Sequence, residues 1–192
     1  MSSVVISGDT SGTVTVAAPA VAGSNTLTLQ AATATNAVNT AGTAVASTSG
    51  TSIDFTGLPS WIKRITVMFA GVSTNGSSNI LIRIGSGSFI STGYVSSVSY
   101  CGAGQSTATS TAGFVIAATG AGQAWNGVLN INLLNASNYT YCESGVISDG
   151  ANYSAMSGGN IALSGILDRV RITTVNGTDT FDAGSINILY EG

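Results

Sequence analysis

Reaction chemistry needs nucleophiles, acids, bases and metal ligands, and this chain of 192 residues carries few of them. It has no histidine, which removes Ser-His-Asp and Cys-His pairings, histidine-ligated metals and the usual proton shuttle near neutral pH. Its two cysteines, Cys101 and Cys142, lie far apart in sequence and form no CxxC pair. They cannot build a four-ligand zinc site by themselves, and two free, buried thiols are expected, as in a reducing cytosol. Asp149, Asp179 and Asp182 stand near Gly or Thr in turn-like stretches. A calcium loop needs six or more converging oxygens. No loop here has that spacing, so these acids are assigned to turn chemistry. With eight acidic residues, a pair of carboxylates set for glycoside hydrolysis would arise only by chance. The expectation is no catalytic residue, no cofactor and no metal.

The remaining side chains of interest bind. Tyr94, Tyr100, Trp125, Tyr139, Tyr141 and Tyr153 lie in the middle of the chain. Exposed rings stack on sugars, and Tyr and Trp are favoured at interfaces. Packing in the core or between subunits is the favoured assignment; glycan recognition at an outward tip is the functional alternative. Trp125, between Gly122-Gln123-Ala124 and Asn126-Gly127, is the first candidate for exposure. Trp61, just after Leu58-Pro59, reads as a structural plug at the base of the fold. Arg169 and Arg171 share one face of a strand by the two-residue period. They are placed to pair with Asp168, Asp179 or Asp182, within or between subunits, and the alternative is ordinary solvated charge.

These residues must be positioned by strands. Hydrophobic residues make up 44% of the chain, which allows a core, whereas charged residues make up only 7%, against roughly 25% in typical soluble domains. The polar residues are instead Ser, Thr, Asn and Gly, a surface suited to packing against copies of itself or another protein. The net charge is −3 with no basic block, so nucleic-acid binding is disfavoured. No apolar run of about 18 residues predicts a membrane helix, and the first residues lack the pattern of a secretory signal, which fits synthesis in the cytoplasm. Residues 1–50 are expected to be an N-terminal arm with short strands at 13–16 and 26–29, the stretch 31–50 being nearly low in complexity. From 51 to 192 the pattern is that of a globular β domain. Apolar residues alternate at 52–55, 62–69, 80–84, 128–134, 169–175 and 185–190, and 138–146 is expected to pair with 128–134. Shorter strands are expected at 89–95, 113–117, 161–163 and 178–181. Asn75-Gly76 and Asn176-Gly177 predict hairpins and Asn126-Gly127 a turn. No segment has a capped helical period. The fold class expected is all-β, a sandwich and jelly-roll-like in winding, with the extended arm ahead of it.

Two stretches are more specific than composition. One runs Gly50-Thr51-Ser52-Ile53-Asp54-Phe55-Thr56-Gly57-Leu58-Pro59-Ser60-Trp61 and on to Phe69. The other runs Asp168-Arg169-Val170-Arg171-Ile172-Thr173-Thr174-Val175-Asn176-Gly177 and on to Ser185-Ile186-Asn187-Ile188-Leu189-Tyr190-Glu191. Together they resemble the C-terminal β domain found on many tailed-bacteriophage fibre and virion-associated proteins. The likeness spans about residues 50–192 and is weak from roughly 85 to 160. Residues 7–16 also look like the N-terminal strands of such proteins. The resemblance implies a non-enzymatic component on the particle surface, commonly a homotrimer: a capsid-decoration (cement) protein or short fibre. Its arm would attach to the major capsid protein or another virion protein. The alternative it implies is a tail-fibre module that binds host-surface glycans, and a depolymerase is the remote third. No nucleic acid and no membrane are expected as partners.

Overall fold

Ile65, Val67 and Phe69 are buried, while Arg64, Thr66 and Met68 alternate with them on the opposite side, so this stretch runs as one extended strand with two unlike faces. The same alternation builds the rest of the molecule. The computed structural model describes residues 3–7, 13–17, 38–102, 104–117 and 120–192, and the described residues contain strands and turns and no helix. The strand expected at 26–29 lies outside them.

The chain divides into two units, Met1–Asn36 and Ala37–Gly192. In the first, β1 (Ser3–Ser7) and β2 (Thr13–Ala17) pair antiparallel, with Ser3 opposite Ala17 and Ser7 opposite Thr13. The second unit is a β-sandwich of two antiparallel sheets. Its larger sheet holds β3 (Asn39–Ala41), β4 (Val45–Ala46), β6 (Arg64–Thr74), β9 (Val95–Gly102), β10 (Ser106–Ser110), β12 (Trp125–Asn135), β13 (Thr140–Ser148), β14 (Tyr153–Ala162) and β16 (Phe181–Glu191). Their order is β10-β9-β14-β13-β12-β6-β16-β3, and β4 also pairs with β16. The smaller sheet holds β5 (Ser52–Thr56), β7 (Ile80–Ser86), β8 (Ser88–Phe89), β11 (Phe114–Ala117) and β15 (Arg169–Thr174). Its order is β11-β7-β15-β5, with β8 folded back on β7. Asn39–Ala41 and Val45–Ala46, from the low-complexity stretch, thus pair with the last strand of the sandwich.

The core lies between the sheets. Ile53, Ile80, Ile82, Ile84, Val170 and Ile172 face inward from the smaller sheet, and Ile65, Val67, Leu129, Ile131, Ile147, Ile186 and Ile188 from the larger. Each fully buried branched side chain stabilises by roughly 1.5–3 kcal/mol relative to exposure. One edge is closed by a side chain. The Val115 N–H of edge strand β11 donates to Ser96 Oγ of β9 at 2.9 Å, so an unpaired ladder group is satisfied across the sheets.

The Asn-Gly pairs behave differently from the hairpins that their sequence predicts. Asn75-Gly76 leads from β6 in the larger sheet to β7 in the smaller, and Asn176-Gly177 leads from β15 in the smaller sheet to β16 in the larger. Both are corners between sheets, and the stretch 178–180 is not a strand. The two corners lock together. The Thr180 N–H donates to Asn75 Oδ1 (2.9 Å), the Ser78 N–H to Asp179 Oδ2 (2.9 Å) and the Asn176 N–H to Ser78 Oγ (3.0 Å). Asn126-Gly127 is not a turn either: both residues lie within β12 at a register shift, and Gly127 adopts φ 134. A Cβ on Gly127 would stand 2.7 Å from the Val146 carbonyl oxygen, so only glycine fits there.

Candidate functional site

The two outward-facing sheet surfaces differ in chemistry. On the smaller sheet, Arg171 of β15 lies directly opposite Asp54 of β5 and Arg83 of β7. Arg171 Nε and Nη2 donate to the two Asp54 oxygens at 2.7 and 2.6 Å, and this bidentate bond raises the guanidinium pKa further. Arg169 grips its chain neighbour Asp168 in the same way, at 2.7 and 3.0 Å, and Asp168 also accepts the Gly87 N–H. Hydrogen bonds from Arg169 hold the Asp168 carboxyl below its usual range. The Phe89 ring covers both guanidiniums, with Arg171 Cζ 4.2 Å and Arg169 Cζ 5.6 Å from its centroid. Arg169 therefore takes Asp168, one of its expected partners, and Arg171 takes Asp54, which sequence reasoning did not single out. Among the described residues, Asp179 and Asp182 form no ion pair with an arginine of their own chain. Asp179 instead accepts from Asn176 Nδ2 and the Ser78 N–H, which lowers its pKa, and Asp182 accepts from the Ser73 hydroxyl. Asp179 is tied up in the corner, and Asp182 lies at the start of β16 in the larger sheet, away from the strand that carries the arginines.

The larger sheet presents the opposite surface. Strands β12, β13, β14 and β9 turn outward Asn126, Val128, Asn130 and Asn132; Cys142, Ser144, Val146 and Ser148; Ser154, Met156, Gly158 and Asn160; and Val95, Ser97, Ser99 and Cys101. No side chain among them carries a formal charge. Across the strands, the register aligns Met68 with Val128, Val128 with Val146, and Val146 with Met156. The result is one apolar row over four neighbouring strands. Val128 is 46%, Val146 53% and Met156 47% exposed. The signal for this row was present in the sequence as an apolar residue at an outward position of alternating strands, next to the inward Leu129 and Ile147. Both cysteines lie on this face, Cys101 on β9 and Cys142 on β13; neither is in a disulfide, and neither is buried, contrary to expectation, because both occupy outward strand positions.

The tyrosines and tryptophans divide into four sets. Tyr94 and Tyr141 are core residues with partnered hydroxyls. Tyr94 OH accepts the Ile84 N–H at 2.8 Å and its ring meets Phe114 edge-on, and Tyr141 OH accepts the Leu167 N–H at 3.2 Å. Burial pushes the Tyr94 phenol up to about 12 and raises that of Tyr141. Tyr139 is half-buried with φ 52 in the turn between β12 and β13. Tyr100, Trp125 and Tyr153 converge with Gln105, Ser106 and Gln123 on one hollow of about 400 Å³. Trp125 is not the exposed ring that its glycine-rich flanks predict: it is 1% exposed. Because Asn126-Gly127 continues the strand, Trp125 falls on the same inward parity as Leu129 and Ile131. Trp61 stacks on Tyr190 with centroids 5.8 Å apart and remains partly exposed at the base of the sandwich.

One acid lies inside. Glu143 of β13 is 3% exposed; its Oε1 accepts from Ser157 Oγ at 2.7 Å, and its Oε2 has no partner among the described residues. Burial pushes this carboxyl up to about 7. No second acid is buried among the described residues, and no group of three or more Cys, Asp or Glu could hold a metal ion there. No family model, curated protein or solved structure matches this chain.

Proposed function

We propose that this protein is a non-enzymatic structural subunit of a tailed-bacteriophage particle, a capsid-decoration protein or short fibre, that self-associates as a homotrimer through the outward face of its larger sheet, centred on the uncharged strands β9, β14, β13 and β12. The observation that carries the reading is the row of half-buried Met68 and exposed Val128, Val146 and Met156, whose neighbours outward on β12, β13, β14 and β9 carry no charge. Monomeric proteins rarely expose such a patch unless something covers it. At strand spacings of about 4.8 Å and 3.3 Å per residue, the seven strands from β10 to β16 offer roughly 750 Å². That is close to the ~800 Å² that each partner gives to a standard interface. The strand order supports the particle role. With β3, β5, β6, β7, β11, β12, β15 and β16 taken as eight strands, β12-β6-β16-β3 over β11-β7-β15-β5 fits a jelly-roll winding, an architecture used in capsid and lectin domains. In this reading Met1–Asn36 carries attachment to the capsid or another virion protein. Light scattering on the purified chain checks the assembly: a mass three times 19.0 kDa is expected, and a monomer at micromolar concentration defeats it. Antibody labelling of intact particles in the electron microscope checks the location. A receptor-binding module on the same particle is the second reading, favoured by the three aromatic residues gathered at one hollow.

A further inference from the structure

The hollow between β9, β12 and the start of β14 is lined by Tyr100 and Trp125, two residues whose donors the rest of the described fold leaves unused. Tyr100 OH and Trp125 Nε1 have no hydrogen-bond partner among the described residues, although Tyr100 is 5% and Trp125 1% exposed. Tyr94 and Tyr141, equally buried, have their hydroxyls matched to the backbone amides of Ile84 and Leu167. The fold therefore supplies partners where a buried tyrosine is purely structural. A buried donor left without one costs about 1–3 kcal/mol.

We infer that this hollow is a binding site for a neutral, hydroxyl-bearing ligand of the size of a sugar ring. The rings of Tyr100, Trp125 and Tyr153 supply apolar walls for a C–H face. The two idle donors call for acceptor oxygens, and Gln105, Gln123 and Ser106 add polar groups at the walls. No charged side chain lines the hollow, so an ionic ligand would find no counter-charge. The nearby carboxylate, Asp149, has Oδ1 committed to the amides of Ala151, Asn152 and Tyr153, and its Oδ2 takes an amide hydrogen of Gln123 at 3.4 Å. That arrangement fixes the loop that delivers Tyr153. At about 400 Å³ the hollow is within the ordinary range of small-molecule sites. The inference deepens the receptor reading by naming its ligand class, and its test needs no particle.

The test is a titration of the full-length, ¹⁵N-labelled protein with galactose, N-acetylglucosamine and maltose, followed at the indole N–H resonances. The chain has two tryptophans, so Trp61 is an internal control, assigned with Trp61→Phe. A ligand-dependent shift of the Trp125 resonance with Trp61 unmoved is expected from at least one sugar, with a Kd in the millimolar range. Tyr100→Phe keeps the ring and removes the hydroxyl, and should weaken binding about tenfold. Gln105→Ala, in an exposed loop, should weaken it about threefold without touching the core. The inference is overturned by a silent Trp125 resonance with all three sugars at about 50 mM, or by equal shifts at both tryptophans. Unchanged affinity in Tyr100→Phe likewise overturns it. Failure of phage adsorption to depend on sugar would sink the receptor reading alone and leave the site standing.

Discussion

On the smaller sheet the outward positions hold Arg171 clamped to Asp54, Arg169 clamped to Asp168, Arg83 donating to the Ala112 carbonyl, and Phe89 laid over two of the guanidiniums. On the larger sheet the positions facing outward from β12, β13, β14 and β9 hold Asn, Ser, Gly, Cys, Val and Met. Both sheets bury the same kind of branched core, so the contrast does not come from folding. A chain with only 13 formal charges among 192 residues, five basic and eight acidic, has put three of its five cations on the smaller sheet, whereas the outward positions of β12, β13, β14 and β9 hold none and Arg64, paired with Glu191, stands at the far end of β6. A face of paired charges stays in water at little cost and resists association. A neutral face with an apolar row does neither. The distribution of charge thus separates a surface that remains wet from one that is covered.

The comparison breaks most readily by placing charge on the neutral face. In the double variant Val146→Lys, Met156→Lys, each new ammonium would have to leave water on assembly, at several kcal/mol apiece. Association should weaken by at least about a hundredfold, to a monomer in light scattering. The control on the other face, Arg171→Ala, should leave the assembled mass unchanged. If the lysine variant keeps its mass, or the control loses it, the assignment of the two faces is wrong.

The next effect is on stability and sharpens the contrast from inside, because Glu143 lies on the inward side of the strand that shows Val146 outward. Its folded pKa of about 7 lies above the ordinary 4.5, so the native state binds the proton more tightly. Stability is greatest below the unfolded value, falls as pH rises through the window from about 4.5 to 7, and stays lower above it. The full cost at pH 8 is roughly 3 kcal/mol by linkage. Glu143→Gln removes that ionisation. Urea unfolding should show the variant more stable than the parent at pH 8, the two converging below pH ~4.5. The assembled mass should be untouched. Equal pH profiles for both proteins would mean that the carboxyl is solvated in the folded state.

Much of this was legible from the residues alone, and the losses have physical causes. Strands such as Ser52–Thr56 and Arg169–Thr174 were plain, because Ile53 and Phe55 in one, and Val170 and Ile172 in the other, alternate with polar residues. β9 was hidden because an inward position holds Ser96, there to receive the Val115 N–H, while Val95 points out. Most of β14 was hidden because Gly158 and Gly159 give no pattern. At Gly159 a Cβ would meet the Ser96 Cα of β9 at 3.0 Å. The Asn-Gly corners had the right turn chemistry and the wrong consequence: a turn fixes local φ and ψ, whereas the sheet that the next strand joins is decided by packing far away in sequence. For the same reason Tyr100, Trp125 and Tyr153 could be named as candidates, but not seen to share a hollow that only the β9–β14–β13–β12 register assembles.

The smallest effect belongs to the charged face and sets the scale for the rest. Asp54 and Arg171 are each about one-third exposed, 33% and 32%, so water screens most of their attraction despite the bidentate geometry. Asp54→Ala should therefore cost only about 0.5–1 kcal/mol in urea unfolding. The loss should shrink further at about 1 M salt, where screening acts over roughly 3 Å. Removing Phe89 as well, by Phe89→Ala, should add little to that loss if the ring only covers the guanidinium. A loss several times larger, insensitive to salt, would mean that this pair is shielded from solvent. The charged sheet would then be a covered surface too, and the distinction between the two faces would fail from its other side.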